Sequence, residues 1–449
     1  MNSALQCIFA TKELSDYFLY NFSEKYINKN NILGSGGLLT LGYINLLLNI
    51  NNTTNNEYIS PGLFKVVLSL CSSKFEGNEQ EDAHEFIIYL LDIFHEDINR
   101  VIKKPNNDNL KYNSDEISSD KKSVIDWNNF LKRNQSVLID LFYGQLKSSA
   151  ICPICHYHSI KFNSFFSLEL SIEESTNQEI KLEKLFYEFS MEEKLDRDNL
   201  YKCEKCKEKS EANKTIEIYH VPKILIIHLK RFNNNKKINT FIDFPLRDLD
   251  INEYIKSNDS VAKYDLFGII NHYGSMEYGH YTSYCFNYHD HTWYEYNDRL
   301  VNKIPKEKEK DKIINKNAYI LFYRCQDNDS INWDVIYNKK YENINENNLK
   351  LFGADFVLKE NPKKNLILGE INNITNIDKS EIIPVINIDE KNEIEDNIDK
   401  DINEIKEIKK EECKLEIEIK TTGIFSSIKR TKNNTFRIKT FHETRKKEN

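Results

Sequence analysis

Two cysteine pairs with the same spacing are the residues in this sequence that best suit metal chemistry. Cys152 and Cys155 stand in "CPIC", and Cys203 and Cys206 stand in "CEKC", with 47 residues between the pairs. Four thiolates can hold a zinc ion in a closed tetrahedral site, and each CxxC turn supplies two of them. We therefore predict one structural zinc ion. A redox dithiol, since CxxC lowers the pKa of a thiol, and a zinc ribbon that binds nucleic acid are the alternatives.

A histidine and two polar residues further along the chain suit nucleophilic catalysis. His280 follows Gly279 in "NHYGSMEYGHYTSY" and begins a predicted strand, and Asn297 and Asp298 stand in "WYEYND". A histidine oriented by a carboxamide or a carboxylate supplies two members of a cysteine-protease triad. The alternative is a histidine whose hydrogen bonds serve only the structure.

Composition limits the class of protein that carries these residues. The chain of 449 residues is 40% hydrophobic and has a formal net charge of -8, which permits a large core and excludes a uniformly basic nucleic-acid binder. No apolar run approaches the roughly 18 residues of a membrane span, and no signal-peptide pattern is present. Nine cysteines, an odd number, argue against a disulfide framework and predict a reducing compartment, cytoplasm or nucleus.

The elements that would position these residues change in type along the chain. The first hundred residues predict helices, with Asn2 and Ser3 as the cap of the first one and "NEQEDAHEFIIYLLDIFHEDINRVI" as the strongest. Residues 103–126 are polar and predict an insertion loop. From residue 136 to 325 the pattern predicts short strands of a largely antiparallel sheet, beginning with "VLIDLFYGQLKSSAIC". Residues 326–449 form a charged extension, partly disordered, with an amphipathic helix predicted over 391–412.

Six segments stand in the order found in one enzyme family. They are "QEDAHEFIIYLLD", "YGQLKSS" with its following CxxC pair, "ILIIHLKRF", "YDLFGIINHYGSMEYGHYTSY", "WYEYND" and "AYILFYR". By these motifs, residues 1–325 resemble the ubiquitin-specific proteases. The resemblance implies an α+β papain-like cysteine peptidase with three subdomains. They are a helical thumb over about 1–135, a palm of antiparallel sheet over about 136–145 and 221–325, and zinc-bearing fingers over about 145–220.

The resemblance also assigns catalytic roles. His280 resembles the general base, Asn297 resembles the residue that orients it, and Asp298 matches a second acidic position that assists. The family more often has Asp where this chain has Asn297, and a carboxamide supports an imidazolium less well than a carboxylate. His272 matches a recurrent histidine of the family that we interpret as structural.

Four further residues match positions that contact the substrate in the family. Asp82 and Glu85 match an acidic pair that receives an arginine of ubiquitin's C-terminal tail, and carboxylates are good receptors for a guanidinium group. The alternative is that they are ordinary helix N-terminal acids favoured by the dipole. Gly274 and Gly279 match the loop that closes over the tail.

The nucleophile segment of the family reads roughly Asn-x-Gly-Asn-Thr-Cys-Tyr-Met-Asn-Ser and continues into "ALQC", and this chain begins at its Met. We expect the catalytic cysteine two residues before Met1. Cys7 lies about two helical turns further on, away from the helix N-terminus, and is not expected to replace it. One hypothesis is a thiol-dependent deubiquitinase whose first segment is absent from this sequence, and the other is a ubiquitin-binding protein without catalysis. Both predict a monomer that binds ubiquitin and ubiquitinated proteins, and neither involves nucleic acid or membrane.

Overall fold

The computed structural model describes residues 1–53, 58–77, 79–105, 118–174, 179–233, 236–257, 262–275 and 278–326, together with the backbone of three strands further on. The chain divides into two units, Met1–Glu360 and Asn361–Asn449. The helix predicted over 391–412 lies outside the described residues.

Helices lie mainly in the first part of the chain, where apolar residues recur at helical spacing. Their ranges are α1 (Asn2–Ala10), α2 (Lys12–Asp16), α3 (Leu38–Asn52), α4 (Gly62–Cys71), α5 (Ala83–Asp97), α6 (Ser119–Leu131), α7 (Val137–Phe142), α8 (Leu182–Phe189) and α9 (Glu309–Ile313). A π-helical turn, Tyr17–Asn21, and short 3-10 turns connect several of them. None of the described helices combines the length and apolar character that crossing a membrane requires.

Strands follow α7, as the change to alternating and continuous apolar runs predicts. Those of the first unit are β1 (Gly144–Ile151), β2 (His158–Phe165), β3 (Ser167–Ser171), β4 (Ile180–Lys181), β5 (Glu193–Leu195), β6 (Tyr201–Lys202), β7 (Lys209–Ser210), β8 (Ala212–His220), β9 (Ile224–Lys230), β10 (Phe232–Asn233), β11 (Lys236–Lys237), β12 (Ile242–Asp243), β13 (Leu249–Asp250), β14 (Lys263–Gly274), β15 (Gly279–Asn287), β16 (Thr292–Asn297), β17 (Leu300–Lys303) and β18 (Ala318–Cys325). In the second unit, β19 (Glu418–Thr421), β20 (Ile424–Arg430) and β21 (Phe436–His442) pair in antiparallel order.

A central sheet of eight strands carries most of the candidate site. Its strands run in the order β17, β16, β15, β14, β18, β9 and β3, with β13 paired to β14. The pairs are antiparallel except for β3, which lies parallel to β9 at one edge. The three strands β9, β14 and β18 are nearly all apolar and buried, because they lie in the middle of the sheet with both faces covered. A second sheet, in the order β2, β1, β8 and β5, carries the cysteine pairs on its connections.

Two predicted segments differ from the structure because helices replace loop and strand. In the predicted insertion loop of residues 103–126, residues 119 onward belong to α6, which Ser118 caps by accepting a hydrogen bond from the amide of Lys121. The predicted palm segment 136–145 begins with α7 instead of a strand, capped by Ser136. All residues of α7 except Asp140 are apolar and buried, and in so short a run the periodicity does not separate helix from strand.

Two other expectations are corrected by packing. The predicted fingers segment 145–220 is not one piece, since β3 belongs to the central sheet. Asn2 and Ser3 do not cap α1, because no side chain bonds to its first amides. Instead the hydroxyl of Ser3 donates to the carbonyl of Tyr281 on β15 at 2.8 Å, which fastens the helix to the sheet.

A buried carboxylate organises the entry into α3. Asp97, at the end of α5, is fully buried, and its oxygens accept four hydrogen bonds. The donors are the amide and hydroxyl of Ser35, the amide of Gly37 and the hydroxyl of Thr40, at 2.6 to 3.1 Å. Gly37 has a left-handed φ of 93°, which only glycine adopts easily. The side chain of Asp97 therefore holds the glycine-rich segment of residues 34–37 against the end of α5, at the point where α3 begins.

We expect Asp97→Asn to lower the free energy of unfolding by about 2–4 kcal/mol, because an amide cannot accept from both hydroxyl groups and leaves buried donors unpaired. Urea unfolding followed by circular dichroism measures the change. The matched control is Asp92→Asn, an exposed carboxylate on the same helix, which should stay within about 0.5 kcal/mol. Equal stability of the two variants would contradict the role of Asp97.

Candidate active site

The predicted histidine and asparagine lie within hydrogen-bond distance of each other. His280 begins β15 and Asn297 ends β16, and these strands are antiparallel neighbours. Nε2 of His280 lies 2.7 Å from Oδ1 of Asn297. Because that oxygen only accepts, the contact assigns the proton to Nε2 and leaves the lone pair of the neutral ring on Nδ1. His280 therefore has the tautomer that a general base needs, with Nδ1 as its basic atom.

Asp298 lies beside this pair and also approaches the first helix. Its Oδ2 is 3.9 Å from Nε2 of His280, further than Asn297, and its Oδ1 accepts a hydrogen bond of 3.4 Å from Asn2. Its φ of 50° places it in the turn between β16 and β17. Asn2 and Ser3 thus bring the N-terminal end of α1 against the neighbours of His280 and Asn297.

The described cysteines have other surroundings, and no hydrogen bond joins any of them to His280. Sγ of Cys7 lies 3.7 Å from Sγ of Cys285 in the core between α1 and β15. Burial, together with Cys285, raises the pKa of the Cys7 thiol well above its usual value, so it stays protonated. Burial also raises the pKa of Cys71 to about 12. A buried, protonated thiol is a poor nucleophile.

The hairpin between β14 and β15 is built around two glycines that face each other. Gly274 has a φ of 96°, and a Cβ there would lie 2.3 Å from the carbonyl oxygen of Tyr278. A Cβ on Gly279 would lie 2.1 Å from Nε2 of His272. Both positions therefore exclude a side chain. The amide of Gly279 donates to Oε1 of Gln80 at 2.9 Å, which ties the hairpin to the segment before α5.

His272 packs against this hairpin at Gly279. It is buried, and its ring packs edge-on against Phe232 and Tyr281. Burial, with a contribution from Lys237, lowers the pKa of His272 to about 4, so the ring is neutral at pH 7. Its place under Gly279 agrees with the structural interpretation of this residue.

Asp82 and Glu85 lie on the first turn of α5, but they have different partners. Oδ1 of Asp82 caps the helix by accepting from the amides of His84 and Glu85, at 2.7 and 3.1 Å. Its Oδ2 accepts from the hydroxyl of Tyr319 at 2.6 Å and, at 3.5 Å, from that of Tyr281. Glu85 is exposed and forms an ion pair with Lys74. Glu85 is therefore accessible from solvent, whereas both oxygens of Asp82 already accept hydrogen bonds that hold its side chain in place, and its capping of the helix is the role given above as the alternative.

Sequence reasoning missed three residues of this region, namely Gln80, Tyr281 and Tyr319. Burial, and then the charge of Asp82, raises the pKa of both tyrosine hydroxyls far above the usual value, so they act only as neutral donors. Tyr319 stands at the start of the apolar run of β18, and this is a usable signal, because a buried hydroxyl group needs a partner. No comparable signal marks Gln80, whose partner is a backbone amide about 200 residues away.

The four predicted metal ligands come together in one cluster. The sulfur atoms of Cys152, Cys155, Cys203 and Cys206 all lie within 4.8 Å of one another. The cross pairs are 3.8 Å apart for Cys152 and Cys206 and 3.6 Å apart for Cys155 and Cys203. This donor set suits a tetrahedral zinc ion, because zinc–sulfur bonds of about 2.3 Å put neighbouring sulfur atoms just under 4 Å apart.

The two cysteine turns have the same backbone design. In each, the residue after the second cysteine is left-handed, with a φ of 55° at His156 and 67° at Lys207. The amides of these residues donate to the carbonyls of Cys152 and Cys203, at 2.9 and 3.0 Å. The turns follow β1 and β6, so two separate hairpins present matching pairs of thiols. Such preformed turns fit a structural metal site.

Comparison with known proteins identifies the family. A model of the ubiquitin carboxyl-terminal hydrolase family matches residues 1–323. The chain is 35% identical over 327 residues to ubiquitin carboxyl-terminal hydrolase 2 of Homo sapiens, covering 72% of this chain and 53% of that protein. Against the Gallus gallus protein of the same name it is 36% identical over 274 residues, covering 60% of this chain and 74% of that protein. This chain spans about half the length of the mammalian relatives.

Solved structures agree with this result at the level of the fold. A chain of the SAGA Ubp8/Sgf11/Sus1/Sgf73 DUB module bound to ubiquitin aldehyde matches with a TM-score of 0.53 and 24% identity, covering 73% of this chain and 67% of that chain. A structure of that module bound to monoubiquitin matches with a TM-score of 0.52. The fold is therefore α+β and papain-like, with a helical thumb, a palm sheet and fingers that carry the four cysteines. From the family match and the relatives together, the chain belongs to the ubiquitin carboxyl-terminal hydrolase family.

Proposed function

We propose that this protein is a thiol-dependent deubiquitinase that hydrolyses peptide and isopeptide bonds at the C-terminal glycine of ubiquitin. The observation that carries the proposal is the 2.7 Å contact between Nε2 of His280 and Oδ1 of Asn297, which leaves Nδ1 as a base. The family membership and the two solved relatives with bound ubiquitin or ubiquitin aldehyde support the choice of substrate.

We propose further that the thiol belongs to a cysteine next to the N-terminal end of α1. Asn2 and Ser3 hold this end against Asp298 and Tyr281, the chain neighbours of Asn297 and His280. A helix N-terminus stabilises a thiolate through its positive dipole end and its unpaired amides. The same amides are suitable donors for an oxyanion.

In the proposed reaction, Nδ1 of His280 takes the proton of the thiol, and the thiolate attacks the carbonyl carbon of ubiquitin's terminal glycine. The resulting imidazolium gives its proton to the leaving lysine amine, and a thioester between enzyme and ubiquitin remains. His280 then removes a proton from water, which hydrolyses the thioester. Asn297 keeps the ring in the required orientation throughout, and the narrow hairpin of Gly274 and Gly279 admits a tail that ends in two glycines.

The second candidate is a ubiquitin-binding protein without catalysis. It is favoured by the surroundings of the described cysteines, since no hydrogen bond joins one of them to His280 and Cys7 is buried. The candidates share the substrate surface and differ in covalent chemistry. A monomeric state and location in cytoplasm or nucleus remain predictions.

The test uses the full-length protein and ubiquitin with a thiol-reactive group at its C-terminus. We expect covalent labelling and hydrolysis of a fluorogenic ubiquitin amide. In His280→Ala, kcat/KM should fall by about 10²–10⁴-fold while the Kd for ubiquitin stays within about twofold, because a general base acts on the reaction and not on binding. The matched control is His289→Ala, because His289 is an exposed histidine in the connection between β15 and β16. Ubiquitin binding without labelling would support the second candidate, and absence of binding would reject both.

Asp82 is predicted to bind the arginine of the tail. Asp82→Asn can keep the helix cap through Oδ1 but removes the charge and the second acceptor oxygen, which holds Tyr281 and Tyr319. KM should therefore rise about tenfold, the equivalent of ~1.4 kcal/mol, with a smaller change in kcat. Steady-state kinetics with ubiquitin amide measures this, and Asp92→Asn on the same helix is the control. An unchanged KM in Asp82→Asn would contradict the contact.

We propose that Cys152, Cys155, Cys203 and Cys206 hold one structural zinc ion that takes no part in the chemistry. Cys155→Ser should lower the tightly bound zinc by one ion per chain and lower the melting temperature, because three thiolates no longer close the site. Elemental analysis after dialysis against metal-free buffer measures the content. Cys71→Ser, which changes a cysteine outside the cluster, should keep it. Equal zinc in Cys155→Ser and the unchanged protein would rule out this ligand set.

A further inference from the structure

A second group of metal-binding residue types lies on the central sheet and contains no cysteine. His84 is on the first turn of α5, Glu169 is on β3 and His228 is on β9, and one possible ligand atom of each lies within 4.8 Å of the others. Glu169 and His228 stand directly opposite each other in the parallel pair of β3 and β9. Three separate elements therefore bring two imidazoles and a carboxylate to one place.

The ring of His228 packs against other rings, but its nitrogen atoms lack hydrogen bonds to the described residues. Its ring stacks on that of His84, with centroids 4.0 Å apart, and meets the ring of Tyr319 edge-on at 4.8 Å. Both of its ring nitrogens are buried and have no hydrogen-bond partner among the described residues. Leaving such a group unpaired destabilises the folded protein. A ligand that binds either nitrogen would remove this destabilisation.

His84 and Glu169, the other two residues of the group, have different hydrogen-bond or ion-pair partners. Nε2 of His84 lies 2.9 Å from the hydroxyl oxygen of Ser167, which leaves Nδ1 as its second nitrogen. A metal-binding histidine typically has its other nitrogen held by such an outer partner. Glu169 is half-exposed and lies 3.5 Å from Lys230, so it connects the buried rings to solvent. Its present partner is a weak, exposed ion pair that a metal ion can replace.

The local charges favour a cation. Three carboxylates, those of Asp82, Glu85 and Glu169, lie near the ring of His84. Two ammonium groups lie beside them, Lys74 at Glu85 and Lys230 at Glu169, so the negative charges exceed the positive ones by one.

We propose that His84, Glu169 and His228 form a binding site for a divalent transition-metal ion, with zinc as the ion that suits this ligand set. The site is separate from the four cysteines and does not rest on the proposed function. With three protein ligands, it leaves a coordination position for water and exchanges its ion more readily than the closed cysteine site. Because zinc–nitrogen bonds are about 2.0–2.1 Å, the donors must draw closer than 4.8 Å. The His228 ring can rotate without breaking a described hydrogen bond, since neither of its nitrogens has a described partner.

The experiment measures zinc bound per chain by equilibrium dialysis of the full-length protein at micromolar free zinc. We expect one further equivalent beyond the ion that survives dialysis against metal-free buffer. Glu169→Gln and His228→Asn should each weaken this equivalent by about 10-fold or more. Lys230→Gln should strengthen it, because the competing ammonium group is gone. Glu211→Gln is the matched control, since Glu211 is an exposed glutamate that pairs with Lys194 on another sheet.

Cobalt added in place of zinc gives a second readout that does not depend on counting ions. The further equivalent of cobalt should show ligand-field absorption without thiolate charge transfer, and Glu169→Gln should require about 10-fold or more free cobalt to produce it. Circular dichroism shows whether His228→Asn folds. If it does not fold, Glu169→Gln still tests the proposal, because Glu169 is exposed and its substitution is not expected to affect folding. Absence of the further equivalent, or its full retention in Glu169→Gln, would overturn the proposal.

Discussion

The carboxylate of Asp82 connects the helical and sheet parts of the molecule, and the candidate site depends on that connection. One oxygen caps α5, and the other accepts hydroxyl groups from Tyr281 on β15 and Tyr319 on β18. A cap alone stabilises a helix by about 1 kcal/mol, but this one also sets the position of α5 against two neighbouring parts of the sheet. The residue that is predicted to bind the substrate is therefore held in place before any substrate arrives.

The position of the base follows from the same sheet. Strands β14, β15 and β16 are joined in register, so His280 and Asn297 meet at one end of the sheet, with the hairpin of Gly274 and Gly279 beside them. The first helix lies across β15 and is fastened to it by the hydroxyl of Ser3. Rigid strands position a hydrogen bond better than loops do, because their backbone atoms are already paired. This explains how an exposed histidine keeps a defined orientation.

Two basic side chains with buried nitrogen atoms, Arg231 and His228, have different surroundings. Arg231 is fully buried and donates to the carbonyls of Ala318, Ile238 and Thr240 instead of to a carboxylate. Burial lowers its pKa to about 10, which still leaves it charged at pH 7. His228 differs from Arg231 in that neither of its polar side-chain atoms has a hydrogen-bond partner among the described residues, whereas Arg231 leaves only Nη2 without one.

Local sequence patterns predict those parts of the site whose residues are close together in the chain. Two CxxC turns, the glycine before His280 and the acids that begin α5 are each defined within a few residues, and the order of the six motifs identified the papain-like fold. Local patterns do not predict the type of secondary structure where tertiary packing determines it. The segment of α7 is apolar apart from Asp140, and it is too short for its period to separate a helix from a strand, so the prediction of a strand there is wrong.

Other features join residues far apart in the chain, and only the folded structure decides them. The contacts of Asp82 with Tyr281 and Tyr319, of Gln80 with Gly279, and of His84 with Glu169 and His228 cross from helix to sheet. Their energy comes from burying polar atoms that must find partners, and which partners are near is a property of the assembled core. The sequence therefore determined the residue types that do chemistry, and tertiary packing determined which of them meet.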